Sequence, residues 1–356
     1  MWGNIIIAFI LAVLTCFVVT PYTMRLAKKV GAVDIPSQRK IHKKPIPRLG
    51  GLAIISGFLV SVIYLLIILN WENVNIYNGQ DYILKLVGFL VGIVILGIVC
   101  FVDDFKDVHP LVKLTAQIIA AIIVCICGIR IENINLPFLT SDLNIVFSYI
   151  LTVGWIIGIT NAINLIDGLD GLSSGISLVS CISLILVFTI NGSPLLSIIL
   201  VTALAGAILG FLPFNFNPAK TFVGDVGSNF MGFSLSVISI LGVAKTYTAL
   251  VLIAPIMILG LPIFDTLFAI VRRLIKGKSL KAVLKPDRGH LHHRLMDKGY
   301  TQKQAVMILY GLSATLGLFT VIMLESGIWK ALSFALLVVA LIAVGYKDIC
   351  KLREDE

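Results

Sequence analysis

The chain has 356 residues, of which 58% are hydrophobic and only 13% charged, and its mean hydropathy is +1.02. Soluble domains carry roughly 25% charged residues, so this composition excludes an ordinary soluble protein and predicts a membrane protein. The net charge of +9 does not indicate a nucleic-acid partner. The basic residues lie between apolar runs, where they orient a membrane protein. We expect a single transmembrane domain over residues 1–356.

A membrane-spanning helix needs about 20 mostly apolar residues. The sequence contains eleven such runs, at residues 4–24, 49–70, 83–102, 111–129, 146–163, 173–190, 194–212, 229–245, 247–271, 303–324 and 328–346. The first run lacks the basic start and the small-residue cleavage site of a signal peptide, so we interpret it as a retained anchor. The sequence therefore predicts an all-α, polytopic membrane protein with about 11 transmembrane helices.

The basic residues predict the orientation of these helices. Of the 28 Lys and Arg residues, 24 lie on the side of the odd-numbered connections and the C-terminal tail. By the positive-inside rule that side is cytoplasmic, so the N-terminus is outside and the C-terminus is in the cytoplasm. Carboxylates from three connections lie on the same side, which predicts a shared cytoplasmic site. These residues are Asp103, Asp104, Asp107, Asp167, Asp170 and Asp225.

The first acidic motif, Asp103-Asp104, ends the third apolar run. Adjacent carboxylates at a membrane boundary repel each other and are costly to desolvate, so we expect a cation between them. Oxygen ligands of this kind suit Mg²⁺. If the helix continues, Asp107 lies one turn from both residues and completes an acidic cluster. The alternative is a solvated helix end.

A second motif leaves the fifth run. Its polar residues recur every three positions, which predicts one stripe along a helix. They are Asn161, Asn164, Asp167 and Asp170. Such a stripe is costly in a membrane unless it contacts partners or a water-filled cavity. The alternative is polar pairing with a neighbouring helix.

The third motif, Phe222 to Ser228, precedes the eighth run. Gly224 and Gly227 at a helix start allow backbone amides to approach an anion, a geometry that binds phosphate. Asp225 would repel a bare phosphate, so we expect it to act through a metal ion. A simple glycine-containing turn is the alternative.

The fourth motif lies in the ninth connection and combines histidines with arginines. Its donors suit a diphosphate, since Arg binds phosphate in a bidentate manner. Zinc is the rival ligand, but the spacing is not that of the common zinc motifs. The motif runs through Asp287, Arg288, Gly289, His290, Leu291, His292, His293 and Arg294. Asp265 is a further candidate because it is ionisable among apolar residues, and Lys43 and Arg48 are candidates for substrate contact.

Together these four motifs resemble the polyprenyl-phosphate N-acetylhexosamine-1-phosphate transferases, of the glycosyltransferase family 4 type, over nearly the whole chain. The His-Leu-His-His pattern at 290–293 resembles the branch that uses UDP-N-acetylglucosamine. The peptidoglycan branch typically has three consecutive histidines, and Leu291 interrupts them here. The alternatives are the phospho-MurNAc-pentapeptide transferase and, from a different class, a membrane transporter.

The resemblance implies transfer of a sugar 1-phosphate from a UDP-sugar to undecaprenyl phosphate, with release of UMP, in the bacterial cell (inner) membrane. It implies Mg²⁺, with Mn²⁺ as a substitute, and it allows a homodimer; the polymer initiated would be teichoic acid or an O-antigen. By this resemblance Asp103, Asp104 and His290 are catalytic, and Asp104 and Asp225 bind the metal. The implied substrate-binding residues are Lys113, Asn164, Asp167, Asp170, Phe222, Arg288, His292 and His293.

Overall fold

The computed structural model describes residues 2–36, 44–72, 82–131, 141–243, 249–277 and 289–339. Within these ranges the chain is nearly all helical, and a small antiparallel sheet is the exception to the all-α prediction. Its strands are β1 (Val33–Asp34) and β2 (Ile46–Pro47). The helices are α1 (Trp2–Val30), α2 (Gly50–Trp71), α3 (Tyr82–Lys106), α4 (Pro110–Ile126), α5 (Ser141–Ile166), α6 (Leu172–Ile190), α7 (Leu195–Asn215), α8 (Gly224–Val243), α9 (Ala249–Ile258), α10 (Gly260–Gly277), α11 (Leu291–Asp297), α12 (Gln302–Ser326) and α13 (Ile328–Val339).

Eight of the described helices are long and apolar enough to cross a membrane, so the chain is a polytopic membrane protein. They are α1, α2, α3, α5, α6, α7, α8 and α12, and they match eight of the eleven apolar runs. The fourth run forms α4, a shorter apolar helix of 17 residues, and the eleventh contains α13.

The ninth predicted run forms two helices, α9 and α10, which meet at Leu259. Pro262 has no amide hydrogen to donate to the carbonyl of Ile258, and Gly260 is a weak helix former, so the helix breaks here. Helix α10 begins directly after the break, at Gly260. That helix carries Asp265 and two arginines towards the histidine motif.

Helix α8 lies at the centre of the molecule, and all its residues except Asp225 are buried. It contacts α2, α3, α5, α6, α7 and α9. Glycines allow this close packing, because a Cβ at Gly232 would come within 2.7 Å of Thr160 on α5, and one at Gly51 on α2 would overlap Gly227. The first turn of α8, with Asp225, is therefore held firmly by its neighbours.

The β-hairpin and the segment before α8 pack together. Val33 pairs with Pro47 in the antiparallel sheet. The amide of Phe222 donates to the carbonyl of Pro47 at 2.8 Å, and the amide of Gly50 donates back to the carbonyl of Phe222 at 3.0 Å. These contacts bring the start of α2 and the start of α8 to the same end of the helix bundle.

Candidate active site

A cavity of about 420 Å³ opens at this end of the bundle. Its size is within the range of sites for small organic ligands, about 300–1,000 Å³. Seven separate stretches of the chain form its wall, and most of the side chains are polar. They are Asp34, Arg48, Asn164, Asp167, Gly168, Leu169, Asp170, Asn215, Phe222, Gly224, Asp225, Ser228, His293 and Gln302.

A row of alternating acidic and basic side chains, here called the charged row, lies beside the cavity. Its members are Asp103, Lys113, Asp225 and Arg48. Lys113 Nζ lies 2.7 Å from Asp103 Oδ2 and 3.6 Å from Asp225 Oδ1. On its other side, Asp225 Oδ2 lies 3.7 Å from Arg48 Nη2. Each cation thus sits next to carboxylates, which reduces the repulsion that the carboxylates would otherwise exert on one another.

Asp104 is buried behind this row and holds the first turn of α8. Its two carboxylate oxygens accept hydrogen bonds from the amides of Asp225 at 2.8 Å and Val226 at 3.2 Å. Gly224 has a φ of +72°, and a Cβ there would lie 2.7 Å from Asp104 Oδ2. The sequence indicated that amides at this helix start could approach a phosphate; in the structure the amides of Asp225 and Val226 already donate to the Asp104 carboxyl group.

Asp107 does not join the acidic cluster, contrary to prediction. Helix α3 ends at Lys106, and Asp107 has a φ of +41° and an exposed side chain. The helix cannot continue because Pro110 disfavours helical backbone at His109 and starts α4 instead. The amide of Val108 turns back and donates to Asp103 Oδ1 at 2.6 Å.

The predicted polar stripe of the fifth span ends earlier than expected, because α5 stops at Ile166. Only Asn161 and Asn164 lie on the helix. Asn161 Nδ2 donates to Gln117 Oε1 at 2.7 Å, which is the inter-helix pairing considered as the alternative. Asn164 Nδ2 instead donates to Asp225 Oδ1 at 2.7 Å, so Asn164 belongs to the cavity.

Asp167 and Asp170 lie in the turn between α5 and α6 and both line the cavity. Burial raises the pKa of Asp167 to about 7, while a 2.6 Å hydrogen bond from Ser173 Oγ acts in the opposite direction. Asp170 Oδ2 accepts from Asn217 Nδ2 at 2.9 Å and from the amide of Ala219 at 3.0 Å. Asp170 therefore also fixes the loop before α8.

The three predicted histidines have different surroundings. His293 lines the cavity, whereas His290 and His292 are buried outside its lining. Burial, and then the neighbouring His293, lower the pKa of His292 to about 4, so its imidazole is neutral. Its ring packs against Gly168. Arg288 lies outside the described residues.

Phe222 lies in the cavity wall, and Lys113 lies in the charged row, close to where the sequence indicated. Asp34, Asn215, Ser228 and Gln302 also line the cavity and were not predicted. Asp34 could have been noticed as a lone acidic residue in a strongly basic connection. Ser228 ends the third motif but was not singled out, and no sequence signal distinguishes Asn215 and Gln302 from ordinary polar residues at helix ends.

The carboxylates in the charged row and directly behind it fit a hard divalent cation. Asp103, Asp104 and Asp225 supply carboxylate oxygens, the ligand type that Mg²⁺ and Mn²⁺ prefer. Within the described ranges no group of three or more acidic, histidine or cysteine side chains is already arranged to hold a metal. Mg²⁺ usually takes only one or two protein carboxylates and completes its shell with water and phosphate, so a smaller group suffices.

Known proteins resemble this chain along most of its length. Residues 86–243 match glycosyl transferase family 4. The probable undecaprenyl-phosphate N-acetylglucosaminyl 1-phosphate transferase of Bacillus subtilis is 39% identical over 92% of this chain and 87% of its own length. The decaprenyl-phosphate N-acetylglucosaminephosphotransferase of Mycobacterium tuberculosis is 33% identical over 84% and 77%.

A more distant relative is the undecaprenyl-phosphate alpha-N-acetylglucosaminyl 1-phosphate transferase of Escherichia coli, which is 28% identical over 81% of this chain and 75% of its own length. The resemblance seen in the four sequence motifs is therefore confirmed. This chain belongs to glycosyl transferase family 4.

Proposed function

We propose that this protein transfers N-acetylglucosamine 1-phosphate from UDP-N-acetylglucosamine to undecaprenyl phosphate and releases UMP. The observation that carries the proposal is the row of Asp103, Lys113, Asp225 and Arg48 beside a cavity of nucleotide size. The names of the relatives from Bacillus subtilis and Escherichia coli agree with this reaction.

The reaction must bring two anionic phosphates together. A phosphate monoester has a second pKa of about 6, so at neutral pH the acceptor is largely a dianion and already nucleophilic. Catalysis then depends on screening charge and on positioning, more than on removing a proton. Lys113 and Arg48, which now neutralise carboxylates, are the cations of the described residues best placed to meet these phosphates.

We assign the metal to Asp225 together with Asp104, with Asp103 beside them to position the acceptor phosphate. When bound, Mg²⁺ or Mn²⁺ would supply charge neutralisation to the diphosphate. Asn164 orients the Asp225 carboxylate through its 2.7 Å hydrogen bond. Because both Asp104 oxygens accept backbone amides, Asp104 also fixes where the Asp225 side chain begins.

The remaining predicted residues surround the rest of the cavity. We assign Phe222, Asp167 and Asp170 to the nucleotide, and His293 to the diphosphate with Arg288. We favour direct in-line attack of the lipid phosphate on the β-phosphate. In the alternative, an aspartate attacks first, and a phosphosugar–enzyme adduct would then accumulate when the lipid acceptor is withheld.

We also propose 11 spans, with the N-terminus outside, the C-terminus inside and the site at the cytoplasmic face of the bacterial inner membrane. Two features support this placement. The ends of α1, α3, α5 and α7 and the starts of α2, α4, α8 and α12 all lie near the cavity, as alternating spans require. Arg48, a described residue of the first basic connection, lies at the same end.

Release of UMP from UDP-N-acetylglucosamine, with purified protein, undecaprenyl phosphate and Mg²⁺, tests the proposal. We expect product only when all three are present, and little with UDP-MurNAc-pentapeptide, since Leu291 interrupts the histidine run of the peptidoglycan branch. Turnover of the pentapeptide substrate alone would reassign the chain to that branch. No UMP release, together with uptake of substrate into vesicles, would favour a transporter.

A further inference from the structure

Asp265, on α10, is buried and makes two hydrogen bonds to the histidine motif. Only 3% of the Asp265 surface is exposed. Oδ1 accepts from the amide of Leu291 at 2.8 Å, and Oδ2 lies 2.8 Å from His290 Nδ1. His290 is the N-cap residue of α11, but its side chain makes no capping hydrogen bond. Asp265 on α10 instead accepts from the amide of Leu291 in the first turn of α11.

The partners of His290 fix its protonation pattern. A carboxylate only accepts, so Nδ1 must carry a hydrogen towards Asp265. On the other side of the ring, Arg273 Nη2 lies 3.5 Å from Nε2, and an arginine only donates. The neutral imidazole with its hydrogen on Nδ1 satisfies both partners. His290 therefore connects α10 to the start of α11 through its contacts with Asp265 and Arg273. It does not line the cavity.

Helix α10 holds the same segment at one more point. Arg272 Nη1 donates to the carbonyl of Gly289 at 2.7 Å. Asp265 and Arg272 are seven residues apart, so they lie on the same face of α10. Together they bind residues 289–291, where α11 begins.

The other side of this segment faces the cavity. His292 packs against Gly168 in the turn between α5 and α6, and a Cβ at Gly168 would overlap its ring. His293, the next residue, lines the cavity. His293 follows His290 by three positions, less than one helical turn, so a tilt at the Asp265 contact moves His293 directly.

We propose that Asp265 is a positioning residue of this site, acting through His290 and the amide of Leu291 to hold His293 in the cavity wall. The link to turnover rests on the proposed function, whereas the docking of the segment does not. The buried Asp265–His290 pair belongs neither to the charged row nor to the residues assigned to the nucleotide. Positioning His293 gives this pair a role.

Amide hydrogen exchange of residues 289–297, without any substrate, tests the docking. Asn in place of Asp265 offers one oxygen for two donors, so one contact is lost. Loss of a capping contact of this kind corresponds to about ten-fold faster exchange. We expect that increase in Asp265→Asn and none in Asp297→Asn, which alters an exposed aspartate of the same helix. Equal exchange in Asp265→Asn and wild type would overturn the proposal.

Kinetics test the link to the site, with turnover expressed per folded molecule. We expect Asp265→Asn to lower kcat/KM for UDP-N-acetylglucosamine about ten-fold, and to add nothing further in a His293→Gln background. A merely structural role would lower only the folded fraction and leave kcat/KM unchanged. That result, or losses that multiply in the double variant, would overturn the proposal. Absence of turnover in wild type would instead reject the proposed function, and hydrogen exchange would still decide the docking.

Discussion

Replacing Gly224 by alanine tests how the acidic cluster is built. Gly224 has a φ of +72°, and an added Cβ would overlap the carbonyl oxygen of Arg48 and lie 2.7 and 2.9 Å from the two carboxylate oxygens of Asp104. The left-handed backbone costs an alanine about 1–2 kcal/mol. Relieving the overlap costs about 1–3 kcal/mol more. We therefore expect Gly224→Ala to destabilise the protein by about 2–5 kcal/mol.

The matched control is Gly154→Ala on α5. Gly154 is exposed and helical, and nothing lies within 4 Å of an added Cβ. Alanine is the better helix former, so this variant should be neutral or slightly more stable. The assay is the apparent unfolding temperature in detergent, measured together with UMP release. If the two variants unfold at the same temperature and turn over equally, Gly224 is not required for the Asp104 contact and the reasoning fails.

Three further predictions concern the metal and the buried carboxylates. Asp225→Asn should insert and unfold like wild type yet lose at least about a hundred-fold of its turnover; near-normal UMP release would remove the metal assignment. EDTA should stop UMP release and Mg²⁺ or Mn²⁺ should restore it, while undiminished activity in EDTA would argue for a metal-free reaction.

The third depends on pH. Because the pKa of Asp167 rises from 3.8 to about 7 on folding, the folded protein holds a proton that the unfolded chain releases. Stability from this group is present in acid and is lost as pH rises towards 7. Asp167→Asn, whose side-chain oxygen can still accept from Ser173, should therefore raise the unfolding temperature more at pH 8 than at pH 5. An equal effect at both values would count against the shift.

Eight of the eleven predicted spans are found as long apolar helices, because a long apolar run has few alternatives to a helix in a bilayer. The prediction of helix bounds failed where single residues end or interrupt a helix. Pro110 ends the helix that would have carried Asp107 into the cluster, and Pro262 with Gly260 divides the ninth span. Periodicity alone does not register such breaks, because it follows side-chain polarity and not backbone hydrogen bonds.

The chemistry-bearing residues were also predictable, but their contacts were not. Asp103, Asp167 and Asp225 stood out as carboxylates beside apolar runs. That Asp104 caps α8 depends on the packing of α3 against α8, about 120 residues apart in sequence. Asp34 reaches the cavity only because β1 pairs with β2, and two-residue strands have no periodic signature.

The central claim is that residues from distant loops form one divalent-cation pocket for two phosphorylated ligands. The most direct measurement is Mn²⁺ binding followed by electron paramagnetic resonance, with UDP-N-acetylglucosamine present, the lipid acceptor absent, and a nucleotide-only blank. We predict one protein-bound Mn²⁺ per chain in wild type and in Asp297→Asn, and binding at least about ten-fold weaker in Asp225→Asn. Equal Mn²⁺ binding by wild type and Asp225→Asn would contradict the account.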